Sequence, residues 1–180
     1  IMSSDWSSDV CSSDLVIILD PARNGIEQIN DAIQKFASRQ GLIEAIQIFS
    51  HGSPGNLQLG NSFLNSDNLE SYRQILSSWK NALTNKANIL LYGCQVAADI
   101  GAEFVGKLQE IIGVNIAASV NLTGSSKLGG NWDLEFTTGE ILVPIALTEI
   151  AQENYPGVLA TLTVRNSNDS GAGSLREAIA

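Results

Sequence analysis

An α/β fold on a mainly parallel sheet is what this sequence predicts, and two observations predict it. Short continuous apolar runs of strand length alternate along the chain with stretches whose apolar residues recur at helical spacing. The core runs do not alternate polar with apolar, so each strand is expected to be covered on both faces, as in parallel sheets with helical connections.

The first run, VIILD at 16–20, reads as a short buried strand. After the turn Pro21-Ala22-Arg23-Asn24-Gly25, the residues Ile26, Ile29, Ile33 and Phe36 mark one helical face. AIQIFS at 45–50 is the second buried strand. LQLGNSFL at 57–64 splits into two alternating pieces around Gly60-Asn61, the pattern of a small hairpin. Asn65, Ser66 and Asp67 offer caps to a helix carrying Leu69, Tyr72, Ile75, Leu76 and Trp79. ANILLYG at 87–93 is the third strand. AADIGAEFVGKLQEIIG follows as a helix with Ile100, Phe104, Leu108 and Ile111 on one face, Asp99 in its first turn and Gly113 as its stop. VNIAAS is the fourth strand. In LGGNWDLEFTTGEI at 128–141, Trp132, Leu134 and Phe136 fall on one side, which suits a peripheral strand or hairpin. PIALTEIAQENYPG reads as a short helix ended by proline and glycine.

The 180 residues carry 44% apolar side chains, enough for a sizeable core. Nineteen acidic against ten basic residues give a formal charge of −9 and a pI near 4.4. That balance argues against a grip on nucleic acid or an anionic membrane, and favours a peptide or basic partner. No apolar run approaches the roughly 20 residues of a membrane helix, so membrane insertion is not expected.

Three regions follow. Residues 1–15, IMSSDWSSDVCSSDL, repeat Ser-Ser-Asp and resemble a translated sequencing adapter or a disordered polar leader. Residues 16–157 form the α/β domain, with a boundary near Tyr155-Pro156-Gly157. Residues 158–180 read as a linker and the start of another region, because the chain turns polar and glycine-containing there. With Cys11 set aside, Cys94 stands alone and cannot form an internal disulfide.

The candidate chemistry lies where two strands end. His51, the single histidine, is followed by Gly52 at the end of AIQIFS, and Gly93-Cys94 closes ILLY. Ligands of open parallel sheets bind beyond the carboxyl ends of the strands, so neighbouring strands would bring His51 and Cys94 to one crevice. A thiolate is a nucleophile, and a nearby imidazole with the start of the following helix would lower the pKa of the Cys94 thiol. Gly52, Ser53, Gly55 and Gly93 would leave room for a substrate backbone and offer N–H groups to a developing oxyanion. Trp132 and Asp133 are candidates for a specificity wall, Asp133 making it selective for a basic side chain; the competing reading makes Trp132 core of the hairpin and Asp133 a solvated residue. One histidine and one remaining cysteine leave no zinc site, and no metal or other cofactor is expected. GAEFVGKL lacks the Ser or Thr of a phosphate-binding loop, and no G-x-S-x-G supports an α/β-hydrolase.

A strand ending in His-Gly and a second ending in a small residue and Cys resemble the cysteine peptidases of the caspase, gingipain and separase fold. More closely, DPARNGIEQI at 20–29, SHGSPGNLQLGN at 50–61, LLYGCQVAADIGAEFV at 90–105 and LGGNWDLEFTTG at 128–139 resemble domain of unknown function 4347. That domain stands near the start of long bacterial adhesin-like proteins and is grouped with those peptidases. The resemblance implies a three-layer caspase-like sandwich, a peptide or protein substrate that could be the chain itself, His51 as general base and Cys94 as nucleophile. It also implies a secreted or cell-surface protein, and the alternative of a catalytically inactive binding, secretion or anchoring module. The family normally opens with a further strand and helix before VIILD, so the resemblance implies a sheet without its native first strand. The final twenty residues resemble the entry to a right-handed β-helix region.

Overall fold

The structure, a computed structural model, describes residues 15–160. The leader at 1–14, with Cys11, and the β-helix-like stretch at 161–180 lie outside the described residues.

Asn24 starts the first helix. Its side-chain oxygen accepts hydrogen bonds from the N–H groups of Ile26 and Glu27, satisfying two donors that α1 (Gly25–Gln40) leaves without partners. Ile26 and Ile33 are buried on its inner face. β1 (Ile43–Phe49) follows, then a three-stranded antiparallel sheet of β2 (Gly52–Ser53), β3 (Asn56–Leu59) and β4 (Ser62–Asn65). The β3–β4 turn is the anticipated Gly60-Asn61 pair. Gly60 has φ +60°, and a Cβ there would lie 2.2 Å from the Arg23 carbonyl oxygen, so the tight turn and the close packing both require glycine.

The predicted helix after Asn65 is a 3-10 turn (Leu69–Tyr72), α2 (Arg73–Ser78) and a second 3-10 turn (Trp79–Ala82) in succession. β5 (Leu83–Tyr92) then runs through the centre of the main sheet, and α3 (Gly101–Ile112) ends at Gly113 in the left-handed conformation. β6 (Asn115–Ala118) and β7 (Phe136–Thr137) complete the sheet, and α4 (Glu149–Asn154) follows, capped by the Thr148 hydroxyl.

The main sheet has the order β1-β5-β6-β7; β1, β5 and β6 are parallel and β7 is antiparallel. The fold is therefore mixed α/β with a mainly parallel sheet. One face carries Ile89 and Leu91 of β5 and Ile116 of β6, packed with Ile26 and Ile33 of α1, Leu76 of α2 and Phe104 and Leu108 of α3. The other face carries Leu90, Tyr92 and Ala117, covered by the chain from Leu122 to Ala160. Among the described residues that second layer is extended chain plus α4, which buries no residue.

Two expectations change. VIILD at 16–20 is not a strand: the segment is unpaired, and Val16 and Ile18 are 71% and 81% exposed. An apolar run becomes a strand only beside a partner that takes its N–H and C=O groups, and no described strand pairs with it. Trp132, Leu134 and Phe136 do not share a face either, since Trp132 and Leu134 join the second cluster and Phe136 packs on the first. The regular pairing there is confined to the two residues of β7, too few to impose strand alternation on the segment.

Candidate functional site

β1 and β5 are direct parallel neighbours, in register from Ala45↔Asn88 to Phe49↔Tyr92. Beyond the last pair the Ser50 N–H donates to the Tyr92 carbonyl at 3.1 Å, carrying the pairing towards His51 and Cys94. The chains are nearly in contact here. A Cβ on Gly52 would lie 3.0 Å from both the Cys94 carbonyl oxygen and the Gly93 carbonyl carbon, and one on Gly93 would lie 3.1 Å from the Ser50 oxygen. Both positions need glycine for that approach.

The backbones of His51 and Cys94 are thus brought together at the carboxyl edge of the sheet, but their side chains have different surroundings. His51 is exposed and its imidazole makes no hydrogen bond among the described residues. Cys94 is 1% exposed. Its sulfur accepts from the Thr123 N–H at 3.2 Å and lies 3.6 Å from the Thr123 carbonyl oxygen.

Burial pushes the Cys94 thiol above its ordinary pKa, against the pull of the N–H groups of Thr123, Leu159 and Cys94 itself. This corrects the expectation of a thiol lowered by a helix start. α3 begins at Gly101, not directly after Cys94. The intervening N–H groups of Gln95 and Ala97 donate to the carbonyls of Asn121 and Ser119 instead of starting a helix. Gln95 and Asp99 adopt left-handed backbone, φ 60° and 49°, so Asp99 also falls in this loop rather than in the first turn of α3.

The predicted donors divide in the same way. The Gly55 N–H is taken by the Val96 carbonyl at 3.0 Å. Ser53 is half-buried in the short pairing with Asn56, and Gly93 supplies closeness of backbone. The Gly52 N–H points into the crevice and joins the Cys94 N–H on one oxygen, the carbonyl of Leu159, at 3.0 and 3.3 Å. Two backbone donors converging on a carbonyl oxygen beside a thiol are the arrangement that stabilises an oxyanion.

Trp132 packs against the cluster that contains Cys94 and Leu159. Its ring meets Tyr155 edge-on at 5.3 Å and lies 6.3 Å from Tyr92, which stacks on Phe49 at 4.7 Å. Asp133 is exposed. The Tyr92 phenol is pushed up to about 12, chiefly by burial and secondarily by the Asp133 carboxylate. Burial also raises Tyr155, with the charge of Cys94 adding to it. The crevice wall is therefore aromatic and aliphatic. The indole nitrogen of Trp132 and the hydroxyl of Thr123 are buried there and find no hydrogen-bond partner among the described residues.

Sequence reasoning missed Thr123 and Leu159. Thr123 follows β6, and the rule that led to His51 and Cys94 also points to the residues beyond that strand end. Leu159 carried no signal, because its part is played by backbone groups.

A mixed α/β domain with glycine, histidine and cysteine at adjoining strand ends is the class that the fold and crevice define. Within it the assignment is specific: the family model described as "Domain of unknown function (DUF4347)" matches residues 6–159, and the chain belongs to that family. No curated protein and no solved structure matches the chain.

Proposed function

We propose that the domain is a caspase-like cysteine peptidase, with Cys94 as nucleophile and His51 as the group that carries the proton. The observation that supports this best is the pair of N–H groups, from Gly52 and Cys94, meeting on one carbonyl oxygen beside the Cys94 sulfur. The proposal includes the three-layer caspase-like arrangement and a place in a secreted or surface-attached adhesin-like protein, both resting on the family resemblance. A second reading, an inactive binding or anchoring module, is favoured by one observation: the thiol is buried while the imidazole faces outward.

An electrophilic peptide probe separates the two. The chain would carry Cys11→Ser, leaving one thiol, and Leu159→Asp, which expels the residue filling the crevice. A peptidase is labelled at Cys94, and His51→Ala slows labelling about 100-fold or more, the usual weight of a general base. Labelling indifferent to His51, or none in a chain whose melting shows it folded, leaves the binding module.

A further inference from the structure

Residues 157–160 lie across the crevice, where Val158 and Ala160 each make an isolated β-bridge. The Ser125 N–H donates to the Gly157 carbonyl at 2.8 Å, and the Leu159 N–H donates to the Thr123 carbonyl at 2.8 Å. Val158 bridges antiparallel to Gly124, while Ala160 bridges parallel to Gly52 on the other side. The peptide bond after Leu159 is therefore held from both directions, with its carbonyl oxygen on the Gly52 and Cys94 N–H groups. Leu159, 8% exposed, belongs to one apolar cluster with Leu90, Tyr92, Cys94 and Ala117, and Trp132 packs against that cluster. A loose linker would satisfy its backbone with water. This segment instead has the backbone groups of Gly157 and Leu159 hydrogen-bonded and the Val158 and Leu159 side chains in an apolar cluster, which is how extended peptides are recognised.

We propose that the Leu159–Ala160 bond is the domain's own cleavage site, held in the crevice for attack by Cys94 of the same chain. The inference rests on the peptidase reading and names its substrate: an extended segment with an aliphatic residue before the bond and a small one after it. The cluster that holds Leu159 is apolar and Asp133 is exposed to solvent, so among the described residues a basic side chain finds no counter-charge there.

The reaction balances without any oxidant or metal. The His51 ring, exposed in this structure, turns towards the sulfur and takes the Cys94 proton, and the sulfur bonds to the Leu159 carbonyl carbon while the oxygen takes the negative charge against the two N–H groups. On collapse the carbon–nitrogen bond to Ala160 breaks, and the departing nitrogen takes the proton from the His51 imidazolium. One water, deprotonated by His51, then hydrolyses the thioester. The products are a Leu159 carboxylate, a new amino terminus at Ala160 and the restored thiol.

The test uses the full chain, incubated and followed by intact mass and amino-terminal sequencing. The expected products end at Leu159 and begin at Ala160, at a rate independent of protein concentration. Cys94→Ser abolishes them and His51→Ala slows them about 100-fold. Ala160→Pro also abolishes them: it removes the N–H of the leaving nitrogen, yet suits the extended conformation of Leu159, since the residue before proline prefers it. Cleavage at another bond, or a rate rising with concentration, overturns the proposal. An intact bond in the full chain, with Cys94 labelled in the Leu159→Asp chain described above, overturns self-cleavage and leaves the peptidase. An intact bond with no such labelling overturns both.

Discussion

Leu159 shares an apolar cluster with Cys94, and truncating it tests whether it seals the thiol and how firmly the segment is held. The substitution is Leu159→Ala in a chain carrying Cys11→Ser and Ala160→Pro, so that one thiol remains and the bond after residue 159 stays whole. Removing a buried leucine side chain down to alanine costs about 2–5 kcal/mol. The low end applies here, because a segment near the end of the domain can settle into part of the space vacated. Leu159 keeps its backbone bonds to Thr123, Gly52 and Cys94 in the variant, so the lost energy is chiefly apolar. About 2 kcal/mol raises the open population roughly 30-fold, at 1.4 kcal/mol per factor of ten. The assay is the rate at which a small thiol reagent modifies Cys94, measured across low urea concentrations. Local release of residues 157–160 exposes little surface, so the rate should rise about 30-fold and depend only weakly on urea. A rise under about threefold, or one with the steep urea dependence of global unfolding, would refute the view that Leu159 is what seals Cys94.

Two further outcomes follow from the structure. In α3, Gly101→Ala places a Cβ 2.0 Å from the Val96 carbonyl oxygen, whereas Gly106→Ala meets nothing within 4 Å; urea titration should show the first losing at least about 1–3 kcal/mol and the second gaining about 0.5–1 kcal/mol. Tyr92, held at about 12 by burial and Asp133, binds its proton more tightly folded than unfolded. Its contribution is therefore whole below pH 10 and lost as pH rises towards 12, on the order of 2 kcal/mol. Tyr92→Phe should lose less stability over that interval, measured by urea unfolding at each pH.

What could be read from the sequence was what local chemistry decides. Gly60-Asn61 turns the hairpin because φ +60° suits glycine, and Gly113 stops α3 for the same reason. The apolar runs at β1, β5 and β6 fixed the class of sheet and made His51 and Cys94 neighbours in backbone. What could not be read depends on partners distant in the chain. The helix after Cys94 starts late because Gln95 and Ala97 are tied to Asn121 and Ser119, and VIILD fails as a strand because no described strand lies beside it. Leu159 was hidden for a related reason. Its composition reads as linker, and the groups that hold it are N–H and C=O groups of Gly52, Cys94 and Thr123, for which no residue type is diagnostic.

The buried thiol and the seated leucine belong to one account. Burial raises the Cys94 pKa, so little thiolate is present at neutral pH, and a peptidase acting repeatedly on separate substrates would pay for that in every turnover. A bond in the same chain, already aligned by Thr123, Ser125 and Gly52, reacts without having to be found, and such alignment is worth several orders of magnitude in rate. One slow event per molecule is then enough. The same event would remove the constraint: once the bond after Leu159 is broken, residue 159 is a chain end with a carboxylate beside the thiol, which disfavours its burial. Its departure would admit water and weaken the desolvation that raises the thiol. In the proposed reaction, the closed crevice is the state before cleavage, and the protonated thiol is a property of that state rather than of the domain.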